Sequence, residues 1–229
     1  MITDYIWLVP GFPLLGAFIN GVFGRWLPRA VVAVVACATV AGSFVVSVAA
    51  YLALARLPAA QQSHVSTLYT WIASGSFRAD VSALVDPLSV FMMLVVSGVG
   101  FLIHVYSAGY MGHDPRFSRY FAFLNLFMFS MLLLVLADSF LTVFVAWELV
   151  GLCSYLLIGF WYRKRSAALA AKKAFIVNRV GDVGFALGIM LIFVSLGTLD
   201  IREVIERIGE LDGGTITVIS LLIFAGAMG

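Results

Sequence analysis

The chain has 229 residues, 62% of them hydrophobic and only 11% charged, with a mean hydropathy of +1.06. An ordinary soluble domain carries about 25% charged residues, and 14 basic plus 12 acidic side chains cannot cover the surface of a soluble chain this long. The composition is that of a membrane protein; it excludes soluble enzyme folds, disordered tails and disulfide scaffolds, and a net charge of +2 without a basic, aromatic-studded stripe argues against nucleic acid as a partner.

Seven apolar stretches follow one another, at residues 5–22, 30–55, 84–109, 120–137, 139–161, 173–196 and 215–229. A crossing helix needs about 20 residues, so the pattern predicts six complete spans and a seventh still apolar at Gly229, as if cut off. The first stretch follows an acidic residue, Asp4, and lacks a convincing cleavage site, so it reads as a retained span rather than a signal peptide. Between the second and third spans lies the one long loop, Arg56 to Ala83. In it Phe77, Ala79 and Val81 alternate with Ser76, Arg78 and Asp80 beside a Ser74-Gly75-Ser76 turn, which predicts a small external β-hairpin. Between the sixth and seventh, Ile201, Val204, Ile205 and Ile208 fall at helical spacing, with Asp200 and Glu203 placed as a capping box. The Phe-rich fourth span (Phe121, Phe123, Phe127, Phe129) reads as packing or lipid-facing. No repeat of 20 to 50 residues is visible. The fold class is therefore all-α, a polytopic transmembrane helix bundle.

Basic residues assigned to alternate sides divide unequally. Arg25, Arg29, Arg116, Arg119, Arg163, Lys164, Arg165, Lys172 and Lys173 fall on one side; Arg56, Arg78, Arg202 and Arg207 fall on the other. The richer side is the cytoplasmic one, which puts the N-terminus outside. The basic run from Arg163 to Lys173 is read as this topology signal, not as a ligand site.

Arg179 is left within the membrane, together with Glu148 and Asp182. A charge at the centre of a bilayer costs about 2.5–3.5 kcal/mol on insertion scales, so such residues face protein or water and mark function by default. Glu148 lies nine residues into the fifth span and Asp182 nine into the sixth from the opposite side, which puts both near one level. Arg179 precedes Asp182 by three residues, on the same helical face. The functional reading is a buried, proton-carrying Glu148 tuned by neighbouring charges; the competing reading is a static ion pair that locks the two spans together. His104, near the end of the third span, is a weaker candidate for a proton relay. Asn125 and Asn178 add polar groups inside spans. The scattered His64, His104 and His113, and Cys37 and Cys153 far apart in apolar runs, give no metal site, disulfide or cluster-binding set, and no phosphate loop or haem pair is present; no redox centre is expected in this chain.

Four segments carry a resemblance: GVGFLIHVYSAGYM (98–111), RYFAFLNLF (119–127), LADSFLTVFVAWELVGLCSYLLIGFWY (136–162) and AFIVNRVGDVGFALG (174–188). Together they resemble the large antiporter-like membrane subunit of respiratory complex I, the subunit L type of bacterial NADH:quinone oxidoreductase, equivalent to mitochondrial chain 5. The likeness is specific over residues 84–229, read as an antiporter-like proton-translocation domain, whereas residues 1–83 (N-terminal spans and external hairpin loop) fit mainly in topology. It implies that Glu148 holds the place of the family's essential glutamate and that Arg179 and Asp182 lie on its charged sixth span. It also implies a lysine beyond the small-residue stretch Phe224 to Gly229, in a continuing chain. FMN, iron–sulfur clusters and quinone are then expected in partner subunits, other complex I membrane subunits as neighbours, and an energy-transducing membrane as location, with a bacterial cell membrane favoured over the mitochondrial inner membrane. Sister families are Mrp-type sodium/proton antiporter subunits and membrane-bound hydrogenase subunits; a purely structural membrane module is the reading from another class.

Overall fold

The computed structural model describes residues 5–58, 61–74 and 77–229. Asp4 and the Gly75-Ser76 turn lie outside them. In chain order the elements are α1 (Leu8–Val22), α2 (Arg29–Leu54), β1 (His64–Ser74), β2 (Phe77–Val85), α3 (Pro87–Tyr110), α4 (Phe117–Leu136), α5 (Phe140–Ile158), α6 (Arg165–Leu196), α7 (Ile201–Arg207), a short 3-10 turn (Ile208–Glu210) and α8 (Gly213–Met228). Among the described residues, α2 to α6 are long and apolar enough to cross a membrane, while α1 and α8 are shorter apolar helices. The helical bundle and hairpin are as read from sequence, but the first span is shorter than its apolar stretch. At ~1.5 Å per residue its 15 helical residues cover ~22 Å, less than a ~30 Å hydrocarbon core. Conversely α6 begins eight residues before the apolar stretch does, because Ser166 to Ala171 contains four alanines and continues the helix through Lys172 and Lys173.

By contacts the chain forms two compact units. One runs up to Ser66 and resumes at Ala83–Leu136; the other comprises Thr67–Ser82 and Ala137–Gly229.

In the first unit α1 packs on α2 and α4, α2 on α3 and α4, and α3 on α4, around Ile6, Val9, Val40, Met93 and Leu132. Pro13 sits inside α1 and has no N–H to give to the Val9 carbonyl one turn back. That orphaned carbonyl accepts the Ser43 hydroxyl of α2 at 2.7 Å instead, so the helix break is sealed by a neighbour rather than by water. At Gly16 a Cβ would collide with Asn125 Nδ2 and Thr39 Oγ1; its absence lets α1 approach that polar pair. Helix α3 starts at Asp86, whose carboxylate accepts the Ser89 N–H at 2.7 Å while its own N–H donates to Ser89 Oγ at 2.8 Å, with Pro87 at the first helical position. Phe121 of the fourth span is fully buried, a packing residue.

In the second unit α6 packs on α5, α7 and α8 around Phe185, Ile189, Ile192, Val204 and Ile219, with Phe140, Phe144 and Trp147 against them. Helices α6 and α8 meet through small residues: a Cβ on Gly184 would lie 2.8 Å from that of Ala225, and one on Gly226 2.7 Å from that of Phe185. Helix α6 stops at Gly197, the one described residue with a left-handed φ, 74°. The connector after α4 then pairs with the connector after α6: Phe140 N–H donates to Leu199 O at 2.9 Å and Ile201 N–H to Asp138 O at 3.0 Å. Asp200 caps α7 as the sequence implies, accepting the N–H groups of Arg202 and Glu203. The reciprocal half of the capping box is absent, because the Glu203 carboxylate takes the Thr198 hydroxyl at 2.7 Å and the Arg207 guanidinium at 3.1 Å.

Candidate functional site

Helix α5 is started by Ser139, whose hydroxyl accepts the Thr142 N–H at 3.2 Å. From there its apolar run carries Glu148 to the ninth of 19 positions, near the middle. On the facing helix Arg179 and Asp182 share a side, one turn apart. Gly151, one turn beyond Glu148, has no side chain, and Asn178 Nδ2 and Arg179 Nη2 come within 3.6 and 3.7 Å of where its Cβ would stand. The α5 backbone at Gly151 thus lies beside Asn178 and Arg179 of α6 at ordinary contact distance.

The result is an ion pair between Arg179 Nη1 and Glu148 Oε2, with the same Nη1 at 3.7 Å from Asp182 Oδ2. The Trp147 indole N–H donates to the Asp182 carboxylate, and the guanidinium lies 4.6 Å from the centre of the Phe175 ring. Asp182 is nearly buried, its side chain 7% exposed, whereas Glu148 and Arg179 keep 24% and 35%. They do so in an apolar hollow of about 330 Å³ lined by Phe144, Val145, Leu149, Leu152 and Phe175. Arg179 Nε and Asp182 Oδ1 are buried without a hydrogen-bond partner. Two carboxylates and one guanidinium carry a net charge of −1 when all are ionised, and of zero when one proton is added. In a low-dielectric setting the neutral count is the less costly one, so the arrangement suits a group that binds and yields a single proton.

Three of the four sequence candidates thus come together. His104 does not join them: it lies in the first unit, fully buried on α3, its Nδ1 hydrogen-bonded to Gly100 O at 2.7 Å. Among the described residues no group of three or more His, Cys, Asp and Glu is placed to hold a metal ion, and Cys37 and Cys153 are not joined by a disulfide.

Two polar residues escaped the sequence reading. Trp147 sits inside an apolar run, where nothing in the sequence marks its indole N–H. Asp138 lies between two spans, where hydropathy marks nothing unusual, yet it is 2% exposed. It accepts the Ser82 hydroxyl at 3.2 Å and faces Arg202 Nε at 3.5 Å. Burial and the nearby Asp200 carboxylate push its acidity constant up; Arg202 and Ser82 oppose them. The signal that could have found it is its place one residue before an N-cap serine.

Residues 71–121 match the family described as NADH-ubiquinone oxidoreductase (complex I), chain 5 N-terminus, and residues 137–229 match NADH:quinone oxidoreductase/Mrp antiporter, transmembrane part. The second match contains the whole Glu148–Arg179–Asp182 cluster. The chain belongs to the antiporter-like membrane subunits of the subunit L and chain 5 type. It is 44% identical over 225 residues to NADH-quinone oxidoreductase subunit L of Mycobacterium tuberculosis, an alignment covering 98% of this chain and 35% of that one. With F(420)H(2) dehydrogenase subunit L of Methanosarcina mazei it shares 42% over 249 residues, 100% of this chain and 36% of the relative. The chain therefore spans about a third of the length of the curated relatives it matches. Among solved structures, the Mrp complex from Dietzia sp. DQ12-45-1b superposes with a TM-score of 0.80 at 25% identity, covering 97% of this chain and 23% of that one. The archaeal membrane-bound sulfane sulfur reductase superposes at 0.83 with 18% identity, covering 96% and 43%, a likeness of fold. Antiporter-like subunits of this kind are multi-pass membrane proteins, and so is this chain.

Proposed function

We propose that this chain is the front part of a proton-translocating membrane-arm subunit of an NADH:quinone oxidoreductase, and that Glu148, Arg179 and Asp182 bind the translocated proton. The observation that carries the reading is one arginine set against two carboxylates, the three contributed by two helices, with Glu148 near the middle of its apolar helix. Glu148 is the carrier. Arg179 stabilises its ionised form, so that a shift of Arg179 toward Asp182 releases Glu148 to take up a proton, and the reverse shift expels it. Redox energy reaches the site as such a shift in charge pairing, driven by quinone reduction in other subunits, which hold the FMN, iron–sulfur clusters and quinone.

The relatives support this division of labour. Subunits named for an NADH-quinone oxidoreductase and for an F(420)H(2) dehydrogenase are similarly identical to this chain, 44% and 42%, although their names give different electron donors. What is shared in this stretch is then not electron input. The partners are the other membrane subunits of the complex, and the N-terminus faces outward, as the basic asymmetry requires.

The Mrp likeness favours a second reading, an antiporter subunit exchanging sodium for protons over the same carboxylates. The two separate on partners and drive. A complex isolated through the tagged full-length subunit that contains NADH dehydrogenase subunits and moves protons only during quinone reduction supports the first. A complex lacking them, which exchanges sodium for protons down an imposed gradient with no electron donor, overturns it.

A further inference from the structure

Helix α6 is longer than a bilayer requires. Its 32 residues run ~48 Å against a hydrocarbon core of ~30 Å, and from Ala174 to its end at Leu196 it carries no charge except Arg179 and Asp182. The excess length is Arg165 to Lys173, which therefore stands at the level of the lipid headgroups. Just before it, Trp161 and the exposed Tyr162 mark the same level, with Lys164 Nζ 4.9 Å from the centre of the Trp161 ring.

This segment holds Arg163, Lys164, Arg165, Lys172 and Lys173, all of them exposed. No acidic residue occurs between Glu148 and Asp182, and among the described residues none of the five cations forms an ion pair. A topology signal requires only such charges beside a span; it does not require that they line up on the helix. Yet Lys172 and Lys173 stand two turns into α6, seven and eight residues from Arg165, spacings that return to one helical face. The same face continues into the span as Ile176, Val180, Val183 and Leu187, spaced by four, three and four residues and 62%, 72%, 62% and 50% exposed. One exposed stripe is thus cationic over the first turns and aliphatic beyond them.

Helix α6 meets its protein neighbour α8 on a different side. A Cβ on Gly181, Gly184 or Gly188 would lie 2.8, 2.8 or 3.0 Å from the nearest atom of α8, the small-residue contact by which membrane helices approach one another. The exposed stripe has no small residue at its four aliphatic positions, so it suits hydrocarbon chains rather than another helix. From Ile176 to Leu187 it runs ~16 Å, about the depth of one leaflet of the core. Its occupant must be anionic at one end and hydrocarbon over that depth, a description that an anionic phospholipid meets.

We infer that this face of α6 binds an anionic phospholipid, with its phosphate held by Lys172 and Lys173 beside Arg165 and its acyl chains laid along Ile176, Val180, Val183 and Leu187. The site rests on the charge and shape of the stripe and not on which ion the Glu148 cluster binds.

The test is photolabelling of the purified complex carrying the full-length subunit, reconstituted in phosphatidylcholine vesicles with a trace of phosphatidylglycerol bearing a diazirine in one acyl chain. A parallel sample carries phosphatidylcholine with the same chain, and the labelled peptides are located by mass spectrometry. The phosphatidylglycerol probe is expected to label residues 176–187 about five-fold or more above the phosphatidylcholine probe. The double variant Lys172→Gln/Lys173→Gln, which leaves three basic residues to orient the span, is expected to lose that preference, and Lys172→Arg/Lys173→Arg to retain it. Equal labelling by the two probes in wild type assigns the face to bulk lipid and overturns the site; this comparison stands even where the glutamine variant fails to assemble. Absence of label from α6 with either probe means that protein covers the face, and also overturns it. So does a preference abolished by inorganic phosphate but kept in chloride of equal ionic strength, which would assign the cations to a free anion.

Discussion

Arg179 lies against the Glu148 carboxylate of the neighbouring helix while the same Nη1 stays 3.7 Å from Asp182. One cation therefore serves two acids, and substitutions at 179 separate charge from geometry. Arg179→Ala leaves both carboxylates without a cation. We predict a loss of about 1–3 kcal/mol, less than the 3–5 kcal/mol of a fully buried pair because a third of the arginine side chain is accessible. The amount of assembled complex on native gels should fall. Arg179→Lys keeps the charge and should assemble better, with weaker coupling because the forked, planar group is gone. Equal assembly of Arg179→Ala and wild type would remove the structural part of this argument.

Gly16 is the point where α1 meets the Thr39–Asn125 pair. Gly16→Ala places a methyl group on those atoms, and overpacking of this kind costs about 1–3 kcal/mol. A lower thermal midpoint of the solubilised complex checks this. Gly184→Val should likewise part α6 from α8, since its Cβ would already lie 2.8 Å from that of Ala225.

These packing devices show where the sequence stops being legible. Spans were readable because apolar runs of about 20 residues have few other uses, and Glu148, Arg179 and Asp182 stood out because a bilayer penalises them. The three-residue spacing even put Arg179 and Asp182 together. What no spacing along one helix can show is rotation between helices: that Gly151 lies beside Arg179, that Trp147 turns its N–H to Asp182, or that Asn125 reaches Thr39 of α2. Asp138 was invisible for another reason. Outside a span a carboxylate raises no alarm, and only the pairing of two distant connectors buries it.

That burial has a pH signature. The folded acidity constant of Asp138 is raised, chiefly by desolvation, above its value in the unfolded chain. Below the ordinary carboxylate range both states hold the proton and nothing is lost. As pH rises from there to the raised folded value, the unfolded state releases its proton first and stability falls, reaching its lower plateau above that value. Asp138→Asn removes the titration while keeping an acceptor for Ser82. Its thermal midpoint relative to wild type should therefore be more favourable at neutral pH than at mildly acidic pH. A difference independent of pH would contradict the assignment.

Orientation is open to direct chemistry. With Cys37 and Cys153 replaced by serine, a single cysteine at Ser166 in the basic segment should react with an impermeant maleimide only after the cells are opened. Labelling in intact cells would invert the topology.

The most direct test is the number of protons moved per electron in vesicles containing the complex with Glu148→Gln in the full-length subunit. Glutamine keeps the size and hydrogen-bonding capacity of the side chain and removes its titration. The account predicts an assembled complex in which quinone-coupled proton movement falls, while electron transfer from NADH to an artificial acceptor that bypasses the membrane arm stays at the wild-type rate. A fully assembled Glu148→Gln complex that moves as many protons per electron as wild type would contradict it and leave Glu148 and Arg179 as a static link between two helices.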